Sequence, residues 1–290
     1  MSNINITFKD KFGVFFWRKI MMPFVETIGG KKFPPDVKVT EFSYGSHKKE
    51  KLDYISPNKT NEKTTAIVHI HGGAWVAGSK GKFYSKPLSR FSKEGYPVFS
   101  LNYPLAPEQE HPFILISLLR ALIWIKENYP QFSSIHLIGD SAGGNLAMML
   151  GIYLSNPELL KIIDSASPEK FPTIKSVVDI FGVNDKLSWV EDGFPSAKLF
   201  NKVYADNTNM SHIPLFPMDF TNIERLPPLF IVGAGEDKLL RSSKIWADHI
   251  SKSFKDVKFK IYEGANHGFF SFGKGCEELS EDMVYFFRNL

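Results

Sequence analysis

The sequence contains a single cysteine, Cys276, among 290 residues. One cysteine cannot form an internal disulfide, so the chain is compatible with a reducing compartment. Neither sign of charge dominates, because 35 basic and 31 acidic residues give a net charge of only +4 and both kinds are spread along the chain. This balance lacks the clustered basic surface of a nucleic-acid-binding protein, and we expect no nucleic-acid partner.

Long uninterrupted apolar runs are also missing. The aromatic segment at residues 12–24 is interrupted by Arg18 and Lys19, and it is shorter than the roughly 20 apolar residues of a membrane-spanning helix. It lacks the charged start and the small-residue cleavage site of a signal peptide, so we expect a cytoplasmic protein. Two interpretations of this segment remain: an amphipathic helix on a membrane surface, or a helix over the mouth of an active site.

Motifs for phosphates and metals do not occur in the sequence. Neither G-x-x-x-x-G-K-[ST] nor G-x-G-x-x-G is found, and no pair of histidines or acids has ligand spacing on a predicted helix. The sequence therefore predicts neither a cofactor nor a metal site.

A G-x-S-x-G motif at residues 139–143 is the clearest chemical signal. An apolar strand-like run precedes it and a helix of small residues follows it, which is the setting of a nucleophile elbow. Gly139 and Gly143 allow the close backbone approach that such a turn requires. The motif alone often occurs by chance, so its meaning depends on the rest of the chain.

Three further loops each follow a predicted strand. They contain His71-Gly72-Gly73, Gly235-Glu236-Asp237 and Gly264-Ala265-Asn266-His267-Gly268. An open α/β sheet places its ligands just beyond the carboxyl ends of its strands. The chain order of oxyanion loop, serine, acid and histidine is that of the α/β-hydrolases.

The chain resembles the hormone-sensitive-lipase-like carboxylesterases of the α/β-hydrolase superfamily, with some similarity to kynurenine-formamidase-type esterases. The resemblance covers most of the chain from about Phe42 onward. It is carried by His71-Gly72-Gly73, Tyr103 with Leu105-Ala106-Pro107-Glu108, Gly139 to Gly144, Asp237-Lys238-Leu239 and His267-Gly268-Phe269. It implies an α/β fold with a mostly parallel central sheet flanked by helices. It also implies a cap made of an N-terminal segment (1–36) and an insertion near 183–225 in the hydrolase domain (37–290), and so favours the cap over the membrane interpretation.

The resemblance also assigns the catalytic groups. Ser141 is the expected nucleophile, His267 the general base and Asp237 the acid that orients it. Of the eight histidines, His69 and His136 lie inside predicted strands and only His267 follows the last strand in a glycine-rich loop. Glu236 remains an alternative acid, because Arg241 stands where the family usually has a second acid.

The expected oxyanion donors are the backbone N–H groups of Gly72, Gly73 and Ala142. Ala74 replaces the third glycine that is common in the family; because alanine disfavours a positive φ, we expect it to be a spacer. His71 is expected to shape the loop by hydrogen bonding. Pro104 replaces the family's usual arginine, which puts an ion pair with Glu108 in doubt.

These features predict a serine hydrolase that cleaves small-molecule carboxylic esters, with short- to medium-chain acyl groups, through an acyl-enzyme. Aromatic and Met residues in the insertion suit an apolar acyl group. The alternatives are an arylformamidase or other amidase, and a non-catalytic ligand receptor on the same fold.

Overall fold

The central sheet organises the part of the chain that our computed structural model describes, namely residues 6–57, 62–205 and 212–290. Met210 of the predicted insertion and part of the polar connection after Ser56 lie outside these ranges. The strands of the sheet are β1 (Val39–Ser43), β2 (Lys51–Ile55), β3 (Thr65–Ile70), β4 (Val98–Leu101), β5 (Ser134–Asp140), β6 (Thr173–Ile180), β7 (Leu229–Ala234) and β8 (Val257–Tyr262).

The strands run in the order β1-β2-β4-β3-β5-β6-β7-β8. β1 pairs antiparallel with β2, with Val39 opposite Ile55, and β2 pairs antiparallel with β4. All the pairs from β4 to β8 are parallel, so their carboxyl ends share one edge of the sheet. This arrangement confirms the predicted, mostly parallel sheet.

Helices cover both faces of the sheet. They are α1 (Phe8–Phe16), α2 (Met22–Gly29), α3 (Ser85–Lys93), α4 (Phe113–Asn128), α5 (Ala142–Ser155), α6 (Pro157–Ile163), α7 (Lys186–Asp192), α8 (Ala197–Ala205), α9 (Leu240–Ile250) and α10 (Cys276–Arg288). Side chains along a strand alternate between two cores: Leu229 and Ile231 pack with residues of α4, α5 and α9, whereas Phe230 and Val232 pack with α3 and α10. The parallel strands are thus buried on both sides, as their continuous apolar sequences predict.

The N-terminal segment packs against the stretch near 183–225 that the sequence predicts to be an insertion. Thr7 caps α1 in a capping box with Asp10, and one π-helical turn, Trp17–Met21, joins α1 to α2. Trp17 contacts the ring of Phe200 in α8 edge-on at 5.2 Å, and its indole Nε1 donates to Ser196 Oγ at 2.9 Å. Lys202 Nζ donates to Asp10 Oδ2 at 2.6 Å. These contacts hold α1 beside α8.

None of the helices in the described ranges is by itself long and apolar enough to cross a bilayer. α5 and α6 reach the required length and hydropathy only as a pair, and they are bent by 119° relative to each other.

Candidate active site

Ser141 occupies a strained turn between β5 and α5. Its φ is 56° and its ψ is −123°, a backbone conformation that a non-glycine residue adopts only when the surrounding structure constrains it. A Cβ on Gly139 would lie 2.1 Å from the carbonyl oxygen of Gly143, and one on Gly143 would lie 2.1 Å from that of Ile70. The two glycines are therefore required by backbone contact, and the predicted strand–turn–helix elbow is confirmed.

Asp237 and His267 come together from the loops after β7 and β8. His267 Nδ1 lies 2.7 Å from Asp237 Oδ2, and the Asp237 side chain is fully buried. Because an ionised carboxylate only accepts hydrogen bonds, Nδ1 carries the proton and Nε2 is left as an acceptor. Asp237 Oδ1 also accepts the Leu239 N–H at 3.0 Å, which fixes the carboxylate. Glu236, the alternative acid, is exposed to solvent.

The oxyanion loop differs from its prediction at two residues. The Gly72 N–H donates to Asp140 Oδ1 at 3.1 Å and to the Tyr84 hydroxyl at 3.0 Å. It is engaged within the protein, contrary to the prediction that it faces an oxyanion. Ala74, expected to be a spacer, has a φ of 52°, so the argument that set it aside is wrong. Among the described residues, no protein acceptor binds the N–H of Gly73 or Ala74, and both residues border the cavity described below.

Asp140 and Tyr84 form a buried hydrogen-bonded pair behind this loop. The Tyr84 hydroxyl donates to Asp140 Oδ2 at 3.2 Å while it accepts the Gly72 N–H. Burial and the neighbouring Asp140 carboxylate raise the pKa of Tyr84 well above its ordinary value, so the hydroxyl keeps its proton. The sequence prediction missed Tyr84. Its only local signal is the helical spacing of the apolar residues Tyr84, Leu88 and Phe91.

His71 shapes the loop, as predicted. Its ring stacks on Tyr103 with centroids 4.3 Å apart, and its Nδ1 bonds to the Gly72 carbonyl oxygen at 2.7 Å. Burial lowers the pKa of His71 to about 3, so the ring is neutral and Nδ1–H is the donor to that carbonyl. The Tyr103 hydroxyl donates to the His71 carbonyl oxygen at 2.8 Å, which ties the loop to the end of β4.

A cavity of about 250 Å³ brings Ser141 and His267 to one surface. Its walls come mainly from the N-terminal segment, the oxyanion loop, the insertion and the loop after β8. They are formed by Trp17, Met22, Val25, Gly72, Gly73, Ala74, Phe83, Tyr84, Asp140, Ser141, Trp189, Phe194, Phe200, His267, Gly268 and Phe272. Phe194 packs edge-on against the His267 ring at 5.0 Å. The catalytic candidates thus face an aromatic chamber with few polar groups.

A buried carboxyl group lies on the far side of the elbow. Asp179 of β6 is fully buried and accepts a hydrogen bond from Asn184 Nδ2 at 2.5 Å. Burial raises the pKa of Asp179 to about 7. A Cβ on Gly144 or Gly182 would lie 2.4 Å or 2.0 Å from Asp179 Oδ1, so a side chain at either position would displace the Asp179 carboxyl group.

Two charged residues affected by departures from the family pattern have partners elsewhere. Arg241 Nη1 donates to Asp192 Oδ2 of α7 at 2.9 Å, and so ties α9 to the insertion. Glu108, which lacks the family's usual arginine at position 104, is paired with Arg18 of the N-terminal segment instead. Within the described ranges, no group of three or more His, Cys, Asp or Glu side chains is placed to hold a metal ion.

The sequence is similar to a known protein family and to a known esterase. The BD-FAE family model matches residues 52–246. Esterase LipC of Mycobacterium tuberculosis is 24% identical over 242 residues, which cover 78% of this chain. The match takes in 58% of the LipC chain, so our chain spans less than two thirds of that relative's length.

Similar solved structures extend over nearly the whole chain. Inhibited esterase B from Lactobacillus rhamnosis superposes with a TM-score of 0.81 at 19% identity, covering 97% of this chain and 96% of the esterase. The Francisella virulence factor BioJ superposes with a TM-score of 0.77 at 20% identity, covering 97% and 94%. At these identities the structures show the fold, and the predicted α/β-hydrolase fold is confirmed. With two thirds of its length matched by the family model, the chain belongs to the BD-FAE family.

Proposed function

We propose that the protein is a serine carboxylesterase that cleaves small-molecule esters through an acyl-enzyme. The observation that carries the proposal is the 2.7 Å contact between His267 Nδ1 and Asp237 Oδ2, beside a cavity that Ser141 also lines. The esterase names of LipC and of esterase B support the same activity.

Ser141, His267 and Asp237 divide the chemistry as a triad. Ser141 Oγ attacks the ester carbonyl carbon while His267 Nε2 takes the hydroxyl proton. The imidazolium then gives that proton to the oxygen of the departing alcohol, and an acyl-serine remains. Water repeats the sequence: His267 takes a proton from the water as its oxygen attacks, and returns it to Ser141 Oγ as the acid leaves. Asp237 stabilises the imidazolium in both halves.

The tetrahedral oxyanion is bound by backbone N–H groups at the elbow and the oxyanion loop. We assign this role to Gly73, Ala74 and Ala142, because the Gly72 N–H is bonded to Asp140 and Tyr84. Ala142 is the first residue of α5, where the helix dipole also favours negative charge. Loss of one such donor in other serine hydrolases costs about 10²–10³ in turnover.

The cavity favours short to medium acyl groups. A cavity of roughly 150 Å³ accommodates benzene, so the 250 Å³ here leaves room for a group moderately larger than one ring. Trp17, Phe200 and Trp189 close the chamber with flat apolar surfaces, which suits hydrocarbon more than polar acyl groups.

The aromatic walls keep an arylformamidase as a second candidate, because the same triad cleaves an activated amide and the rings suit an aryl leaving group. A non-catalytic receptor is less well supported. Such a receptor requires neither the strained φ of Ser141 nor a hydrogen-bonded acid behind His267.

The test is hydrolysis of nitrophenyl esters of increasing acyl length, together with N-formylkynurenine, by the parent and Ser141→Ala. We expect activity on short and medium esters that falls about 10⁶-fold in Ser141→Ala, as in other triads. Ser89→Ala, which alters a buried serine of α3 away from the cavity, is the matched control and should retain activity. Activity of Ser141→Ala within tenfold of the parent would disprove the nucleophile, and a preference for N-formylkynurenine would select the second candidate.

A further inference from the structure

The N-terminal segment exposes an unusual number of aromatic side chains. Eleven large hydrophobic side chains are exposed in the described chain, and six of them fall within residues 8–24. These six are Phe8, Phe12, Phe15, Phe16, Ile20 and Phe24. Phe8 is 85% exposed and Phe24 is 62% exposed, so these rings contact little of the protein. A contiguous apolar surface of this kind marks an interaction site in a protein of ordinary composition.

The six side chains share one face of a continuous helical segment. Phe8, Phe12, Phe16, Ile20 and Phe24 recur every four residues and Phe15 adjoins Phe16, so the six side chains fall within about half of the helix circumference. The opposite face is turned to the protein: Val14 is buried, and Trp17 packs on Phe200. The segment is thus apolar on two sides: its inner face packs on the protein, and its outer stripe of six side chains is exposed.

The charges beside the stripe are of one sign. Lys9, Lys11 and Lys19 are exposed, and none of them forms a salt bridge with a described residue. The two acids of helices α1 and α2 are already engaged, since Asp10 binds Lys202 and Glu26 accepts a hydrogen bond from Ser79. The outer face therefore combines large aromatic groups with unpaired cations.

We propose that residues 8–24 dock the protein onto an anionic lipid surface, with the aromatic stripe inserted and the lysines at the headgroups. Helices of this composition lie in the plane of the interface, and each lysine near anionic headgroups strengthens binding. A second copy of the chain is a poorer occupant, because a two-fold interface on this stripe brings the three lysines near their equivalents.

Docking in this orientation also affects the active site. Trp17, Met22 and Val25, on the inner side of the same segment, form one wall of the cavity that contains Ser141. A lipid-bound segment therefore places the cavity wall directly beneath the surface in which apolar esters dissolve. The docking itself goes beyond the proposed function, because binding to lipid requires no turnover.

The experiment is sedimentation of the full chain with vesicles of phosphatidylcholine, and with vesicles that contain phosphatidylglycerol in addition. We expect binding to the anionic vesicles and little binding to the neutral ones. The triple variant Phe8→Ser/Phe15→Ser/Phe24→Ser should bind at least about tenfold more weakly, since each ring removed takes apolar area out of the interface. Lys9→Gln/Lys11→Gln/Lys19→Gln should lose the preference for anionic vesicles.

Phe113→Ser is the matched control, because Phe113 is also an exposed phenylalanine, 47% accessible, but begins α4 outside the segment. It should bind like the parent. Hydrolysis of a soluble short ester should be the same in all of these variants, which separates this test from that of the proposed function. The proposal is overturned if the parent binds neither vesicle, or if the triple phenylalanine variant binds unchanged. A dimer of the parent that dissociates in that variant would assign the stripe to self-association instead.

Discussion

Arg18 and Glu108 meet in a two-pronged ion pair, with Nη1 2.6 Å from Oε1 and Nη2 2.6 Å from Oε2. Arg18 also donates to the backbone carbonyl oxygens of Val76 and Ala106. The pair holds the pKa of the Glu108 carboxyl below its ordinary value. One guanidinium thus joins the N-terminal segment to the end of the oxyanion loop and to the loop after β4.

Arg18→Gln should weaken substrate binding more than it weakens the fold. Surface ion pairs contribute about 1 kcal/mol or less to stability, but the neighbouring Trp17 forms a wall of the cavity. We expect KM for medium-chain nitrophenyl esters to rise about threefold to tenfold with a smaller change in kcat. Lys161→Gln, which removes the exposed Lys161–Glu158 pair on α6, should leave both constants unchanged. Equal kinetics in both variants would show that the Arg18 contacts do not position the cavity wall.

The sequence was sufficient for the parts of the site that local patterns encode. Ser141 follows a strand whose residues are buried on both faces, and His267 lies in the one glycine-rich loop after the last strand. These features depend on residues close together in the chain, so their spacing identifies them. The same holds for Gly139, whose need for no side chain arises from contact with the next turn.

The remaining features depend on contacts between distant residues. The Gly72 N–H is engaged because Asp140, 68 residues later, directs a carboxylate oxygen at it. The cation that binds Glu108 comes from residue 18, and nothing in the sequence around Pro104 indicates that source. α3 has a weaker local pattern, since serines and lysines surround its buried Leu88 and Phe91.

Asp237→Asn should lower turnover by about 10⁴-fold, because the neutral amide neither holds the required imidazole tautomer nor stabilises the imidazolium. Glu236→Gln is the matched control one residue away; Glu236 is exposed, and the change should cost little. Turnover of one short ester at pH 8 measures both. A larger loss in Glu236→Gln would transfer the orienting role to that residue.

Tyr84→Phe should reduce kcat by about tenfold with little change in KM, less than the loss of a direct oxyanion donor. Without the hydroxyl, Gly72 and Asp140 each lose a hydrogen-bond partner, and the loop that carries Gly73 is held less firmly. Tyr44→Phe removes another buried hydroxyl, one that donates to the Asn102 carbonyl oxygen at 2.6 Å. Tyr44→Phe is the control: its free energy of unfolding in urea should fall about as much as that of Tyr84→Phe, but its kcat should not change. An equal loss of kcat in Tyr44→Phe and Tyr84→Phe would contradict a positioning role for Tyr84.

Asp179→Asn should stabilise the protein more at pH 8 than at pH 5. Burial raises the pKa of the folded-state carboxyl from 3.8 to about 7, so the folded chain binds a proton that the unfolded chain has released in this interval. The free energy of unfolding of the parent therefore falls as the pH rises from about 4 to about 7, and this group lowers it no further above pH 7.

The isosteric amide removes this dependence. We expect the difference in unfolding free energy between variant and parent, measured in urea, to grow by about 1–3 kcal/mol from pH 5 to pH 8. Asp256→Asn, at an exposed aspartate, should give the same difference at both pH values. A difference for Asp179→Asn that does not change with pH would show that the carboxyl is ionised throughout.

Six of the residues that line the cavity lie in two stretches outside the central sheet: residues 17–25 and residues 189–200. Ser141, Asp237 and His267, by contrast, stand on loops that the sheet itself fixes. Under the proposed function, reactivity and selectivity are thus encoded in separate parts of the chain. Variation within the two wall stretches can change which acyl group is accepted while the elbow geometry is inherited intact, so homologues with the same triad need not share a substrate.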